Sequence, residues 1–225
     1  MLVKNWMSSP AITIDADAIL PEAIKLINHH KIHMLPVKNE DQLVGIVTER
    51  DLIKATDSDA TSTKLTNLAD GLSPTKIRDV MTENPITVFY NNTIEEIAEL
   101  LLVYKISGVP VVNEQEKMIG IITKTDIFKY IVTLGGARKK GVQLALELAD
   151  RPENVNEITD TIRDYGAHIS NFLSTQRRAG KGYRKVYIHI NDIDRPSLLR
   201  LKEVLKEKAN LLYIVDHMDK TREVF

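Results

Sequence analysis

An internal duplication constrains this chain more than any other feature. The segment Gly45-Ile46-Val47-Thr48-Glu49-Arg50-Asp51 returns as Gly120-Ile121-Ile122-Thr123-Lys124-Thr125-Asp126. Upstream, Met7 matches Met81, Ile12-Thr13-Ile14 matches Ile86-Thr87-Val88, and Glu22 matches Glu96. Lys31-Ile32 matches Lys105-Ile106, and Leu35-Pro36-Val37 matches Val109-Pro110-Val111, all at an offset of 74. One residue inserted near Lys117 raises the offset to 75 for the motif itself. Matching along a whole unit implies repeated structure, and a unit of about fifty residues is a marginal fold alone. Two such units are expected to pack together.

Each motif copy reads as an apolar strand that turns into a helix. Thr-x-x-Asp before an apolar run is a variant of the capping box, in which a hydroxyl and a carboxylate satisfy backbone groups of the first turn. The same corner suits a nucleotide, because outward-facing N–H groups favour a phosphate and the Asp can accept from two ribose hydroxyls. Hydrogen bonds to a charged acceptor contribute roughly 1.5 to 3 kcal/mol each. Capping and binding are compatible on one helix start.

Each unit is expected to run strand, helix, strand, strand, helix. In the first, a strand covers 12–14, a helix 21–30 with Ala23, Ile24, Leu26 and Ile27 on one side, and strands lie near 34–37 and 43–47. In the second, Thr93 and Glu96 form a capping box for a helix reaching about Tyr104. Val3 to Trp6 leads into the first unit and Ile77 to Val80 into the second. Thr56 to Thr63 has a loop composition, Lys64 to Leu72 carries a short helix, and Gly135-Gly136 with Arg138-Lys139-Lys140 reads as a hinge. Beyond it the pattern changes. A strand to Leu148, the turn Asp150-Arg151-Pro152, a helix 155–165 stopped by Gly166, a hairpin of strands 168–175 and 184–190, a helix 197–208 and a strand 211–215 give βαββαβ, a ferredoxin-like order. The expected segments are therefore unit 1 at 1–58, a polar linker at 59–76, unit 2 at 77–134, a hinge at 135–141 and a further domain at 142–218, an α+β chain.

Composition narrows the classes. Thirty basic and 31 acidic residues leave a formal charge of -1, so no global field drives the chain onto nucleic acid or anionic lipid. The absence of cysteine removes disulfides and thiolate chemistry. Residues 1–10 lack the apolar core of a signal peptide, and no apolar run nears the roughly 18 residues of a membrane span, so a cytoplasmic location is expected. His29, His30 and His33 lie close together, but the helix is expected to end near Lys31 and no acidic or histidine partner completes a metal set. Arg177, Arg178, Lys181, Arg184 and Lys185 with Tyr183 form a basic hairpin tip, read as a solvated turn in the absence of a DNA-reading helix. No nucleophile elbow, Walker lysine or metal-ligand helix is present, and no enzymatic activity is expected.

The paired Gly-h-h-Thr-x-x-Asp units (h apolar), each preceded by Leu35-Pro36-Val37 or Val109-Pro110-Val111, closely resemble the tandem cystathionine-β-synthase (CBS) pair, or Bateman module, over roughly 1–134. The C-terminal part resembles an ACT domain, and the domain order is similar to the CBS-CBS-ACT proteins of the acetoin-utilisation protein B type. The CBS resemblance implies a regulatory homodimer that binds an adenosine nucleotide (AMP, ADP or ATP), with no obligatory cofactor, and acts on a metabolic partner. It implies that Asp51 and Asp126 hold ribose and that Thr48 and Thr123 lie near phosphate, together with Lys124. It also implies that Ile12, Ile32, Met34, Leu35 and Pro36 line the base in one site, and Ile86, Ile106, Gly108, Val109 and Pro110 in the other. His33 and Arg50 correspond to Ser107 and Thr125, an inequality from which the first site is expected to prefer the more highly phosphorylated nucleotide. The ACT resemblance implies an amino-acid site or a dimer contact at Asp150-Arg151-Pro152-Glu153-Asn154, where Glu153 replaces the customary glycine and its charge opposes a ligand carboxylate. Other adenosyl ligands (S-adenosylmethionine, NAD, a cyclic dinucleotide) and a ligand-free dimerisation scaffold remain alternatives.

Overall fold

A computed structural model of the chain describes residues 1–56, 75–136 and 141–225. Most of the expected 56–63 loop, the 64–72 helix and the Arg138-Lys139-Lys140 stretch lie outside the described residues. The chain divides into two compact units, Met1–Phe128 and Lys129–Phe225.

The first unit contains both repeats. In repeat one, β1 (Ile14–Asp15) pairs parallel with β2 (Met34–Asn39), which pairs antiparallel with β3 (Gln42–Thr48). Helix α1 (Leu20–His30) buries Leu20, Ala23, Ile24 and Ile27 at helical spacing, and α2 (Glu49–Ala55) buries Leu52. Lys31 ends α1 in the left-handed conformation (φ 53°), and its counterpart Lys105 has φ 54°. The first strand falls at 14–15, not 12–14, because its pairing begins at Ile14 opposite Val37.

Repeat two follows the same path after a two-residue strand β4 (Thr82–Glu83). It comprises β5 (Val88–Phe89), α3 (Ile94–Val103), β6 (Gly108–Val112), β7 (Met118–Thr123) and α4 (Lys124–Leu134). The expected capping box is present: Thr93 Oγ1 accepts from Glu96 N at 3.3 Å, and Glu96 Oε2 accepts from Thr93 N at 2.7 Å.

Spatial order departs from chain order at the two lead-in segments. Val3, fully buried, donates its N–H to Asn92 O, and Ser8 exchanges both backbone hydrogen bonds with Ile121, so the start of the chain packs on repeat two. Reciprocally, Ile77 N donates to Ala18 O, β4 pairs with β3, and Ile77 belongs to the buried core of repeat one beside Leu20, Ile24 and Leu52. Lys76 and Arg78 both engage Asp17, at 2.7 and 2.5 Å. These pairs are half exposed and contribute little; the buried isoleucine carries the contact. The two halves of this unit are thus strapped to one another.

The second unit comprises β8 (Val142–Ala149), α5 (Pro152–Asp164), β9 (His168–Thr175), β10 (Tyr183–Asn191), α6 (Arg195–Lys208), β11 (Asn210–Asp216) and β12 (Thr221–Val224). Its antiparallel sheet has the order β12-β11-β8-β10-β9, the split βαβ arrangement of a ferredoxin-like fold with one added edge strand. Leu144, Leu146, Ile188, Ile162 and Leu201 form the core between sheet and helices. The expected end at Met218 falls short, since β12 continues the sheet. The division between units lies within α4, between Phe128 and Lys129.

Candidate functional site

Both Thr-x-x-Asp corners form at a strand-to-helix junction with the same internal geometry. Asp51 Oδ2 accepts from Thr48 N at 2.9 Å and from Thr48 Oγ1 at 2.6 Å. Asp126 Oδ2 accepts from Thr123 N at 3.0 Å and from Thr123 Oγ1 at 2.8 Å. The threonine hydroxyl therefore donates to the carboxylate. Asp51 is half-buried and Asp126 buried at 3% exposure, so both acids are held rigidly rather than left to solvent.

The glycine that opens each motif has a packing reason. A Cβ on Gly45 would meet Met81 Sδ at 2.4 Å, and one on Gly120 would meet Ser8 O at 2.8 Å and Met7 Sδ at 2.9 Å. Met7 and Met81, themselves repeat counterparts, thus each sit on the glycine of the other repeat. A third close approach joins the two halves. A Cβ on Gly108 would lie 2.9 Å from Met34 Sδ, and Met34 and Gly108 are repeat counterparts. Met34 is the cross-strand partner of Thr48, as Gly108 is of Thr123. The two corners consequently flank one pseudo-symmetric contact, which brings together the segments 32–36 and 106–110.

Of the wall residues, Met34, Leu35, Pro36, Gly108, Val109 and Pro110 are buried, Ile12, Ile32 and Ile106 are half-buried, and Ile86 and Ser107 are exposed. Arg50 is exposed and Lys124 half-buried. His33 Nδ1 lies 2.8 Å from Glu49 Oε2. Within its own helix Glu49 is inconspicuous, because an acid in the first turn is the ordinary choice. Its signal was the repeat alignment, which sets Glu49 against Lys124. Among the described residues no group of three histidine or acidic side chains is placed to hold a metal ion.

In the second unit, Asp150 accepts from Arg184 Nε at 2.5 Å and from Gln176, and Asn154 Nδ2 donates to Ala149 O at 3.1 Å. The turn is thus fastened to the hairpin, and Arg184 belongs to that tie instead of a free basic patch. The hydrogen bonds from Arg184 and Gln176 hold the Asp150 carboxyl below the usual carboxylate range. A carboxylate whose folded pKa is depressed stabilises above its unfolded value, and that contribution is lost as pH falls through the folded value. Asp150→Asn is therefore expected to lower the melting temperature at pH 7, and the gap to the parent should be smaller at pH 3. A gap of the same size at both pH values would refute the assignment. A cavity of about 440 Å³ lies at the other end of β8, lined by Val142, Asp192, Asp194, Arg195, Asp216 and Met218 among others. Arg195 and Asp216 are ion-paired there at 2.6 Å.

Comparison with known proteins agrees with the repeat geometry. The CBS domain family model matches residues 3–58 and 77–133, and the chain belongs to that family. A CBS domain-containing protein of Dictyostelium discoideum is 35% identical over 133 residues, covering 59% of this chain and 92% of that protein. L-aspartate semialdehyde sulfurtransferase of Methanocaldococcus jannaschii is 35% identical over 127 residues, covering 56% of this chain but only 22% of the enzyme. The match thus spans nearly all of the Dictyostelium protein and about a fifth of the Methanocaldococcus enzyme. Among solved structures, the CBS-pair protein CBSX2 from Arabidopsis thaliana superposes with a TM-score of 0.51 at 25% identity, covering 61% of this chain and 97% of CBSX2. No described helix is long and apolar enough to cross a membrane.

Proposed function

We propose that this protein is a non-enzymatic regulator whose CBS pair binds an adenosine nucleotide and changes conformation or assembly in response. The observation that carries the reading is the pair of equivalent Thr-Asp corners, each a fixed carboxylate beside a hydroxyl, on either side of the Met34–Gly108 contact. A rigid carboxylate is suited to a vicinal diol, and family membership supplies the adenosine. Ligand would act by favouring one arrangement of the two repeats over another, since only a difference in affinity between arrangements can transmit a signal. The ferredoxin-like domain serves as an ACT-type element for dimerisation or a second signal, and Glu153 argues for the former. Homodimerisation is supported by the exposed Leu102, Val103 and Tyr104, whose counterparts in repeat one are the polar Asn28, His29 and His30. The partner is a metabolic enzyme, with acetoin utilisation as the pathway implied by domain order, in the cytoplasm.

Calorimetric titration with AMP, ADP and ATP tests this. Micromolar binding, about −8 kcal/mol, is expected for the parent protein, with one site lost in Asp51→Ala, the other in Asp126→Ala, and both in the double variant. If no heat accompanies any of the three nucleotides, both acids are helix caps only, and the CBS pair is a scaffold or senses a different adenosyl ligand such as S-adenosylmethionine.

A further inference from the structure

The repeats are alike in backbone but opposite in charge at one position of the corner. Glu49 and Lys124 each follow the motif threonine as the first residue of their helix. Glu49 N donates to His33 O at 3.0 Å and Lys124 N to Ser107 O at 2.9 Å, so the two side chains leave equivalent places. His33, a residue of the first candidate site, is in contact with Glu49, so this position borders the space a ligand would fill. Resting on the nucleotide reading above, we propose that the two sites take different ligands: the Asp126 site an adenosine with a 5′-phosphate, the Asp51 site an adenosine derivative without one. Glu49 and Lys124 are the residues that set this difference.

Two observations support the division. First, the Glu49 carboxylate stands at the Asp51 corner and holds His33 Nδ1 at 2.8 Å. The imidazole that a phosphate would need is occupied, and a phosphate entering there would meet a carboxylate. Second, Lys124 is half-buried and forms no ion pair among the described residues. A cation at the first position of a helix opposes the macrodipole. A cation that works against local stability, with no compensating ion pair among the described residues, marks a functional position, and an anion beside Lys124 would supply the compensation. Arg50 does not cancel the asymmetry, because its side chain is exposed to solvent whereas Glu49 is half-buried and in contact with His33. This reverses the preference expected from His33 and Arg50 alone.

The test is a charge exchange in single-site backgrounds, read by calorimetry with adenosine and AMP on the full chain. With Asp126→Ala present, the remaining site should bind adenosine about tenfold more tightly than AMP, and adding Glu49→Lys should invert that ratio. With Asp51→Ala present, the remaining site should prefer AMP by a similar factor, and adding Lys124→Glu should abolish the preference. Cooperative melting, with the midpoint raised slightly by Lys124→Glu and lowered slightly by Glu49→Lys as the helix dipole requires, would show that the folds are intact. Equal AMP-to-adenosine ratios at the two sites, or ratios that ignore the exchange, would overturn the division while leaving the nucleotide reading in place. Failure of both ligands to bind the parent protein would overturn the nucleotide reading and the division with it.

Discussion

Ile77→Ala is expected to destabilise the first of the two compact units by about 2–5 kcal/mol, the range for truncating a fully buried isoleucine. The side chain has 0% exposure and packs in one cluster with Leu20, Ile24, Leu35 and Leu52. What distinguishes this prediction is where the loosening appears. In chain order Ile77 opens repeat two, whereas in space it fills the core of repeat one. Amide hydrogen exchange on the variant should therefore accelerate in α1, β2 and β3, with α3, β6 and β7 less affected. Val3→Ala should give the complementary pattern, because Val3 is equally buried and its backbone is bonded to Asn92 in repeat two. Acceleration confined to repeat two in Ile77→Ala would mean that each repeat keeps its own lead-in.

That exchange was not legible in the sequence, and the reason is physical. Both sheets present the same surface to a lead-in strand, an opening glycine that admits a methionine, and the two methionines are themselves matched. Nothing local tells Met7 to choose Gly120 over Gly45. The helices were legible because α1, α3 and α6 bury residues at helical spacing and begin with recognisable signals. The Thr93–Glu96 box is one; α6, expected from 197, begins two residues earlier at Arg195, where Asp194 caps it by accepting from Ser197 N at 2.8 Å. The ferredoxin-like order was legible for a similar reason: Gly166 stops α5 with φ 81°, and the alternation of Val186, Ile188 and Ile190 marks a half-buried strand. Strands β1, β4 and β5 have two residues each, too few to show a period, so their bounds are fixed only by their partners. Strand β12 is fully exposed, so it carries no apolar alternation to read.

The candidate site divides along the same line. Asp51, Asp126 and the two threonines were identifiable from the motif, and the structure gives both pairs one geometry. Glu49 was passed over because the residue is unremarkable in its own helix. Only the duplicated position, where a lysine stands in its place, shows that the choice of charge is free of structural necessity. A repeat protein thus supplies its own comparison: positions that agree report on the fold, and positions that differ in charge report on the ligand. The Met34–Gly108 contact belongs to both categories, since unequal side chains at one pseudo-symmetric point let two similar halves fit together where two methionines would collide.

The second large effect is expected at Gly120. Neither Gly45 nor Gly120 has a positive φ, so alanine at either is opposed by space and not by backbone strain. At Gly120 the nearest obstacle is a backbone atom, Ser8 O at 2.8 Å, and Ser8 is fixed by its two hydrogen bonds with Ile121 at 2.9 and 3.0 Å. The added methyl must push the strap off the sheet or distort β7 immediately before Thr123, so Gly120→Ala should cost about 1–3 kcal/mol, as overpacking generally does. At Gly45 the closest atoms are Met81 Sδ and Cγ, with Thr82 O at 3.0 Å; a methionine can change rotamer, and the cost should be smaller. Trimming the methionine separates the two cases. Met81→Ala should recover most of the stability lost in Gly45→Ala, while Met7→Ala should recover little of that lost in Gly120→Ala, as read from urea unfolding of each single and double variant. Equal rescue at both positions would show that side chains, and not the bonded strap, fix the approach. Because β7 ends at the Asp126 corner, Gly120→Ala should also weaken nucleotide binding at that site beyond what the loss of stability explains, whereas Gly45→Ala combined with Met81→Ala should leave the Asp51 site close to its parent affinity.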